Sequence, residues 1–338
     1  MKTQPPVLDL DDVQVARRRL AGSLRLTPCL IAPALSEMAG VRIWLKRDDL
    51  QRTGSFKERG ARHALLCLDE AARARGVVAA SAGNHALGLA YHGAALGTKV
   101  TVVMPVTAVA VKIARCRSLG ATVVLHGENF EQAQAHAVGL AAADGASLVH
   151  PFDDLRVIAG QGTMALEILE QAPALDTLVV PVGGGGLLAG AATVVKTLRP
   201  EVRVVAVEAE NAAGFQAACR RGVPQAVVVG PTLADGLAVA RVGDTTFSLA
   251  APLVDDCVTV TEAELAGAMS LLARRAGIVA EGAGAAALAA VLAGRIAGRA
   301  VVLPVCGRNI DLRVHEQAVV SGRDWLPAPL RVREPVAA

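Results

Sequence analysis

Residues 178–186 read LVVPVGGGG and residues 187–198 continue as LLAGAATVVKTL. The first run is apolar and short enough for a buried strand. The second has helix composition, and four glycines join the two. A tight turn from strand to helix needs only one or two. Four leave a stretch of backbone without side chains, able to close around a phosphate at the positive end of a helix dipole. A strand, a loop and a helix in this order form the repeating unit of an α/β fold.

The same alternation extends in both directions. Upstream, GVVAA (76–80) leads into helical HALGLAYHGAALG, then the strand KVTVVMP, helical VKIARCRSLGA, the strand TVVLHG, helical FEQAQAHAVGLAAADG and the strand SLVHP. Downstream come VRVVAVEAE, DDCVTVT and AVVLPVCG. Near-continuous apolar strands separated by helices indicate parallel sheets covered on both faces. Two such series predict an α/β protein of two open, mainly parallel-sheet domains. The smaller is expected at 50–152 and the larger at 153–325, with residues 1–49 packing on the larger and 326–338 a frayed tail.

Composition narrows the function classes. Of 338 residues 53% are hydrophobic but only 2% aromatic, so the core has to be built from Ala, Val and Leu. The 34 basic and 31 acidic residues are spread along the chain without a basic block, which argues against nucleic acid as the partner. ARRRL near the start and ARRAG near 275 read as solvated helix faces. Six cysteines without a CxxC pair suggest neither a disulfide framework nor a zinc site. The polar, acidic start lacks the apolar core of a signal peptide, and no apolar run suits a bilayer. A cytoplasmic protein is expected.

Four stretches carry chemistry, each where a strand gives way to a loop or helix, the place where open α/β sheets bind ligands. In TGSFKERGA (53–61), Thr53-Gly54-Ser55 can turn the chain and cap a helix beginning near Phe56. Lys57 then falls in the first turn, where the helix dipole disfavours a cation and lowers its pKa, as a nucleophilic amine requires. The plainer reading is an exposed lysine beside Glu58 and Arg59. In SAGNHALG (81–88), the loop can offer backbone N–H groups and polar side chains to a carboxylate. A helix cap by Ser81 or Asn84 explains it equally well, and His85 alone reads as structural. Gly184-x-Gly186-x-x-Ala189 also fits the dinucleotide pattern, with Glu208 at the distance for a ribose, so a nicotinamide-dependent oxidoreductase is a rival. In VVLPVCGRNID (301–311), Cys306 stands at a strand end, a position where a buried cysteine is ordinarily inert.

Together TGSFKERGA, SAGNHA, GGGGLLAG, ADGLAV (234–239) and CGRNID occur in the order seen in fold-type II pyridoxal-phosphate enzymes, and the chain resembles the threonine and serine dehydratases among them. The likeness runs from LTPCL (26–30) to NIDLRV (309–314). It implies a tryptophan-synthase-β-like fold with pyridoxal 5'-phosphate (PLP) between the domains. It implies that Lys57 holds the cofactor as a Schiff base with Phe56 beside the ring, that Gly183, Gly184, Gly185, Gly186 and Leu187 enclose its phosphate, and that Asn84 meets the ring hydroxyl. Ser81, Ala82, Gly83 and His85 would line the seat of the substrate carboxylate, and Cys306 would face the pyridine nitrogen. The implied reaction is β-elimination of water from threonine or serine, a small amino-acid substrate, with Lys57 as general base. A homodimer or homotetramer is the expectation from relatives.

Departures from the family pattern shape this expectation. Ala82 stands where racemases of the family carry Ser, which disfavours racemisation. Gly214 stands where metal-binding relatives have an acidic residue six positions after the one matching Glu208, so no metal is expected. Arg308 replaces a usual Gly, and Gly282 a common Pro. Arg308 could reach a second carboxylate, or point into solvent. The chain resembles the short catabolic type without a regulatory domain. Three alternatives stand beside the threonine/serine reading: a dehydratase for a specialised 3-hydroxy amino acid (phenylserine, hydroxyaspartate or a hydroxyectoine-derived compound), the oxidoreductase, and a binding protein that kept the fold and lost the chemistry.

Overall fold

The structure, a computed structural model, describes residues 7–325; the tail expected at 326–338 lies outside the described residues. Its strands in chain order are β1 (Cys29–Ile31), β2 (Arg42–Lys46), β3 (Val77–Ala80), β4 (Val100–Met104) and β5 (Thr122–Leu125), followed by β6 (Ser147–Leu148), β7 (Thr177–Pro181), β8 (Arg203–Ala209), β9 (Asp256–Val260) and β10 (Ala300–Pro304). They form two sheets, a four-stranded one in the order β5-β4-β3-β6 and a six-stranded one in the order β1-β2-β10-β7-β8-β9. Every pairing is parallel except β1 with β2.

The inner strands of the larger sheet, β2, β10, β7 and β8, read as near-continuous apolar runs because both their faces are buried. Along β7, Leu178 and Val180 enter a core with helices Leu155–Gln171 and Gly186–Leu198, while Val179 enters the opposite core with helices Glu262–Ala276 and Gly282–Leu292. Alanine-rich helices suit these layers, since small side chains let elements approach closely. At the extreme, a Cβ on Gly160 would lie 2.7 Å from the Arg59 carbonyl oxygen, so helix Lys57–Leu66 meets helix Leu155–Gln171 backbone to backbone. The first 49 residues contribute β1 and β2 to the larger sheet, and helix Leu10–Leu20 packs on helix Leu155–Gln171.

Parallel pairing brings the carboxyl ends of β7 and β10 to one edge, and β3 of the smaller sheet opens toward the same place. The loops that follow these three strands carry the glycines, Cys306 and the SAGN turn. A cavity of about 840 Å³ lies between them.

Candidate active site

Lys57 is the first residue of helix Lys57–Leu66, and its side chain opens into this cavity. The segment before it lies against the loop after β10: Phe56 N–H donates to the Cys306 carbonyl at 2.9 Å, and Arg308 N–H to the Gly54 carbonyl at 3.0 Å. Gly54 makes this possible with φ +83°, a conformation other residues avoid. The expected cap is not there. Ser55 Oγ is buried with no partner among the described residues, and Phe56 occupies the cap position without a side-chain bond. Instead the Glu58 carboxylate reaches back to the Thr53 N–H. Because residues 53–56 are committed to the loop after β10, a side chain from inside the helix closes the turn.

Lys57 Nζ donates to the Pro151 carbonyl at 2.8 Å and sits 5.4 Å from the centre of the Phe56 ring. Burial draws its pKa down to about 8, against the opposing pull of Glu281. The amine is therefore neutral in an appreciable fraction at mildly alkaline pH. The reading of Lys57 as an exposed surface residue is excluded.

Across the cavity, Gly185 (φ +93°) caps helix Gly186–Leu198. Among the described residues, no protein group accepts a hydrogen bond from the N–H of Gly183, Gly184, Gly185, Gly186 or Leu187. The glycines also have a packing reason that sequence did not supply. A Cβ on Gly184 would fall inside the Phe152 ring, and one on Gly185 would lie 2.9 Å from Thr246 Oγ1. Thr246 Oγ1 in turn donates to the Gly184 carbonyl at 2.7 Å, which fixes the loop with its N–H groups free.

The SAGN loop ends β3 and starts helix Asn84–Ala95, whose cap residue is Gly83, without a side-chain cap. Neither Ser81 nor Asn84 is therefore the cap. Ser81 Oγ accepts the Gly83 N–H at 3.2 Å. Asn84 donates through Nδ2 to Glu281 Oε1 at 2.7 Å and accepts through Oδ1 from Asn309 at 2.6 Å. The His85 ring is buried and turned toward the Val149 carbonyl, 3.4 Å away; burial, with Lys57 nearby, holds its pKa well below the ordinary value and keeps it neutral. Any contact of His85 with a substrate carboxylate would thus be made by its backbone N–H in the first helical turn. Cys306 Sγ points to the Pro304 carbonyl, 3.6 Å away. Burial, reinforced by Asp48, Glu281 and Asp49, raises this thiol well above its usual pKa, so it is neutral.

Residues 20–307 match the family described as pyridoxal-phosphate dependent enzyme. The chain belongs to that family. It is 44% identical to the L-threonine ammonia-lyase of Thermotoga maritima over 317 residues, 94% of this chain and 79% of that protein. It is 43% identical to the catabolic L-threonine dehydratase TdcB of Escherichia coli K12 over 307 residues, 90% of this chain and 93% of that one. Among solved structures, a threonine deaminase from Solanum lycopersicum (the processed form of isoform 2) superposes with a TM-score of 0.85 at 34% identity, covering 95% of this chain and 96% of that one.

As a PLP enzyme the chain has a cavity that fits the group. Five adjacent unpaired N–H groups at a helix N-terminus suit a phosphate, and an amine free of any carboxylate partner stands within the same cavity. The oxidoreductase reading fails on Glu208. That carboxylate is buried and both its oxygens are taken, Oε1 by Phe215 N–H at 2.6 Å and Oε2 by Gln216 N–H at 2.8 Å, so it cannot hold a ribose. Gly214 brings no ligand group beside it. Arg308 is exposed and lies outside the cavity wall, its stem against Gly54, so it is the solvent-facing of its two readings. Gly282 is explained by packing, since a Cβ there would run into the Leu233 carbonyl.

Two cavity residues escaped the sequence reading. Glu281 caps helix Gly282–Leu292, is buried, and is raised to about 7 by burial and by Asp235. Asn309 accepts Arg115 at 2.6 Å and gathers the loops around Asn84. A lone acid in the apolar run GIVAEGAGAAALAAVL was the one available signal for Glu281. Nothing local marked Asn309.

Proposed function

We propose that the protein is a PLP-dependent ammonia-lyase that removes water from L-threonine and L-serine, yielding a 2-oxo acid and ammonia. The observation that carries this reading is the convergence of Lys57 and the five free N–H groups on one cavity, in a chain whose relatives are named for this reaction on threonine. Bound there, PLP supplies a sink for the electron pair left on the substrate α-carbon when its proton departs.

The chain's own groups do the rest. The N–H groups of Gly183 to Leu187 hold the phosphate, and Phe56 closes one side of the ring site. Lys57 Nζ would hold the cofactor covalently between turnovers and, once displaced, would take the α-proton that leaves with the β-hydroxyl as water; its lowered pKa leaves a free lone pair for this. Ser81, Ala82, Gly83 and His85 seat the substrate carboxylate at the start of helix Asn84–Ala95, and Asn84 meets the ring oxygen. Ala82 offers no hydroxyl to return a proton to the opposite face, which disfavours racemisation. A ring nitrogen set beside the neutral Cys306 thiol would not be protonated by it, which would favour prompt loss of a β-hydroxyl over slower fates.

A second reading within the same chemistry has one observation behind it. The cavity lining also includes the apolar side chains of Val111, Phe130 and Leu312, the first and last of them exposed, which would suit a bulkier 3-hydroxy amino acid such as phenylserine. The protein is further proposed to act in the cytoplasm as a homodimer or homotetramer, the assembly being measurable by light scattering. Among the described residues no helix is long and apolar enough to cross a membrane.

The test is an absorbance spectrum of the purified, PLP-loaded protein with 2-oxo acid release followed on each substrate. A yellow protein that forms 2-oxobutyrate from L-threonine and pyruvate from L-serine is the expected result. A yellow protein inert to both but active on phenylserine moves the assignment to the second reading. A protein that stays colourless with added PLP overturns the role of Lys57.

A further inference from the structure

Asn309 lies where several segments meet. Its backbone N–H donates to Glu281 Oε2 at 3.0 Å. Its Nδ2 donates to the Thr53 carbonyl at 2.8 Å and to Asn84 Oδ1 at 2.6 Å, and its Oδ1 accepts from Arg115 at 2.6 Å. Two of these partners admit one polarity only, because a guanidinium can only donate and a peptide carbonyl can only accept. Between them Arg115 and Thr53 fix the Asn309 amide, oxygen toward the first and nitrogen toward the second. The same nitrogen faces Asn84, so the Asn84 atom it meets has to be the carbonyl oxygen. The Asn84 nitrogen is thereby turned toward Glu281 Oε1, 2.7 Å away.

Close packing keeps this relay in place. A Cβ on Gly54 would lie 2.7 Å from Asn309 Oδ1, and one on Gly307 would lie 2.5 Å from Glu281 Oε1. Thr53 belongs to the segment that enters the Lys57 helix, and Arg115 stands on helix Ala110–Ser118, which packs with the smaller sheet. The relay therefore joins the loop after β10, the approach to Lys57, the start of helix Asn84–Ala95 and a helix across the cavity.

We propose that Asn309 is a positioning residue for the cofactor: it passes the polarity fixed by Thr53 and Arg115 to Asn84, so that Asn84 offers N–H and no acceptor to the PLP ring oxygen. The inference rests on Asn84 as the ring contact. Asn309→Asp preserves shape and reverses polarity, since a carboxylate has no proton for the Thr53 carbonyl or for Asn84 Oδ1. The Asn84 amide then turns over and presents the wrong atom to the cofactor.

The experiment is a double-mutant cycle read by PLP dissociation from the holoenzyme and by the wavelength of its visible absorbance. Asn84→Ala and Asn309→Asp are each expected to weaken PLP retention about tenfold, the scale of one lost hydrogen bond. Asn309→Asp is also expected to shift the absorbance maximum. In the Asn84→Ala background, Asn309→Asp should change retention less than about twofold and leave the maximum where Asn84→Ala put it. Asn309→Ala, which removes the relay without adding charge, runs through the same cycle with the same expectation. Equal losses from Asn309 substitution in both backgrounds would overturn the relay while leaving Asn84 as the ring contact. An Asn84→Ala protein that keeps PLP as well as the parent would overturn both.

Discussion

Lys57 and Arg59 stand two residues apart at the start of one helix, the first with its amine in the cavity and the second with its guanidinium sealed in the core. Arg59 is met by two carboxylates. Its Nε and Nη2 pair with Asp48 at 2.6 and 2.9 Å, and its Nη1 and Nη2 with Glu167 at 2.7 and 2.8 Å. Lys46 joins Glu167 from the other side, so two cations and two anions close a buried quartet. Burial alone would raise the Asp48 carboxyl, but Arg59 outweighs it and holds that pKa below the ordinary value. Lys57 has only the Pro151 carbonyl, and burial wins. The difference teaches what partners do for a buried cation. With carboxylates in fixed geometry its charge is permanent and ties helix to core; with a carbonyl alone its charge is negotiable, which is what a nucleophile and base needs.

The comparison can be broken at either end. Lys57→Ala should remove the visible absorbance of the PLP-loaded protein and lower turnover by about 10⁴-fold, while the urea midpoint of the protein hardly moves, since no ion pair is lost. Arg59→Met should do the reverse in kind. It strands Asp48 and Glu167 with Lys46 alone, at a cost of about 3–5 kcal/mol in urea unfolding. If Arg59→Met unfolds like the parent, the quartet is not what anchors the Lys57 helix.

The contrast between these two cations was half legible. A lysine at the unfavourable end of a helix dipole is a local conflict visible in TGSFKERGA, and it singles out a side chain whose amine lines the cavity. Nothing local set Arg59 apart, because its carboxylates lie 11 and 108 residues away along the chain. The same limit governs the rest. The alternation of apolar runs and helix-patterned stretches gave both parallel sheets, since a strand buried on two faces announces itself by composition. It could not place β2 between β1 and β10, a pairing across more than 250 residues that only the folded chain decides. Ser55 was misread as a cap because whether its hydroxyl faces the helix depends on the docking of residues 53–56 against Cys306. Glu281 gains its meaning from Asn84, 197 residues away.

Glu281 also supplies the finest test of the comparison, because it is the carboxylate that would turn Lys57 into another Arg59 if it were ionised. Burial, with Asp235, raises it from 4.5 to about 7 despite the hydrogen bonds from Asn84 and Asn309. Between those two pH values the native protein keeps a proton that the unfolded chain has given up. Its stabilising contribution is then complete below about pH 4.5 and is lost as the pH rises to about 7. Glu281→Gln abolishes that dependence. Its amide cannot accept from both asparagines at once, so the variant starts with a pH-independent loss of one hydrogen bond. Relative to the parent it should then gain about 3 kcal/mol between pH 4.5 and 8, read as the difference of urea unfolding free energies at each pH. Parallel curves would mean that Glu281 is charged throughout this range. Lys57 would then face a permanent carboxylate across the cavity, its charge would be as fixed as that of Arg59, and its readiness to act as a base would need another source.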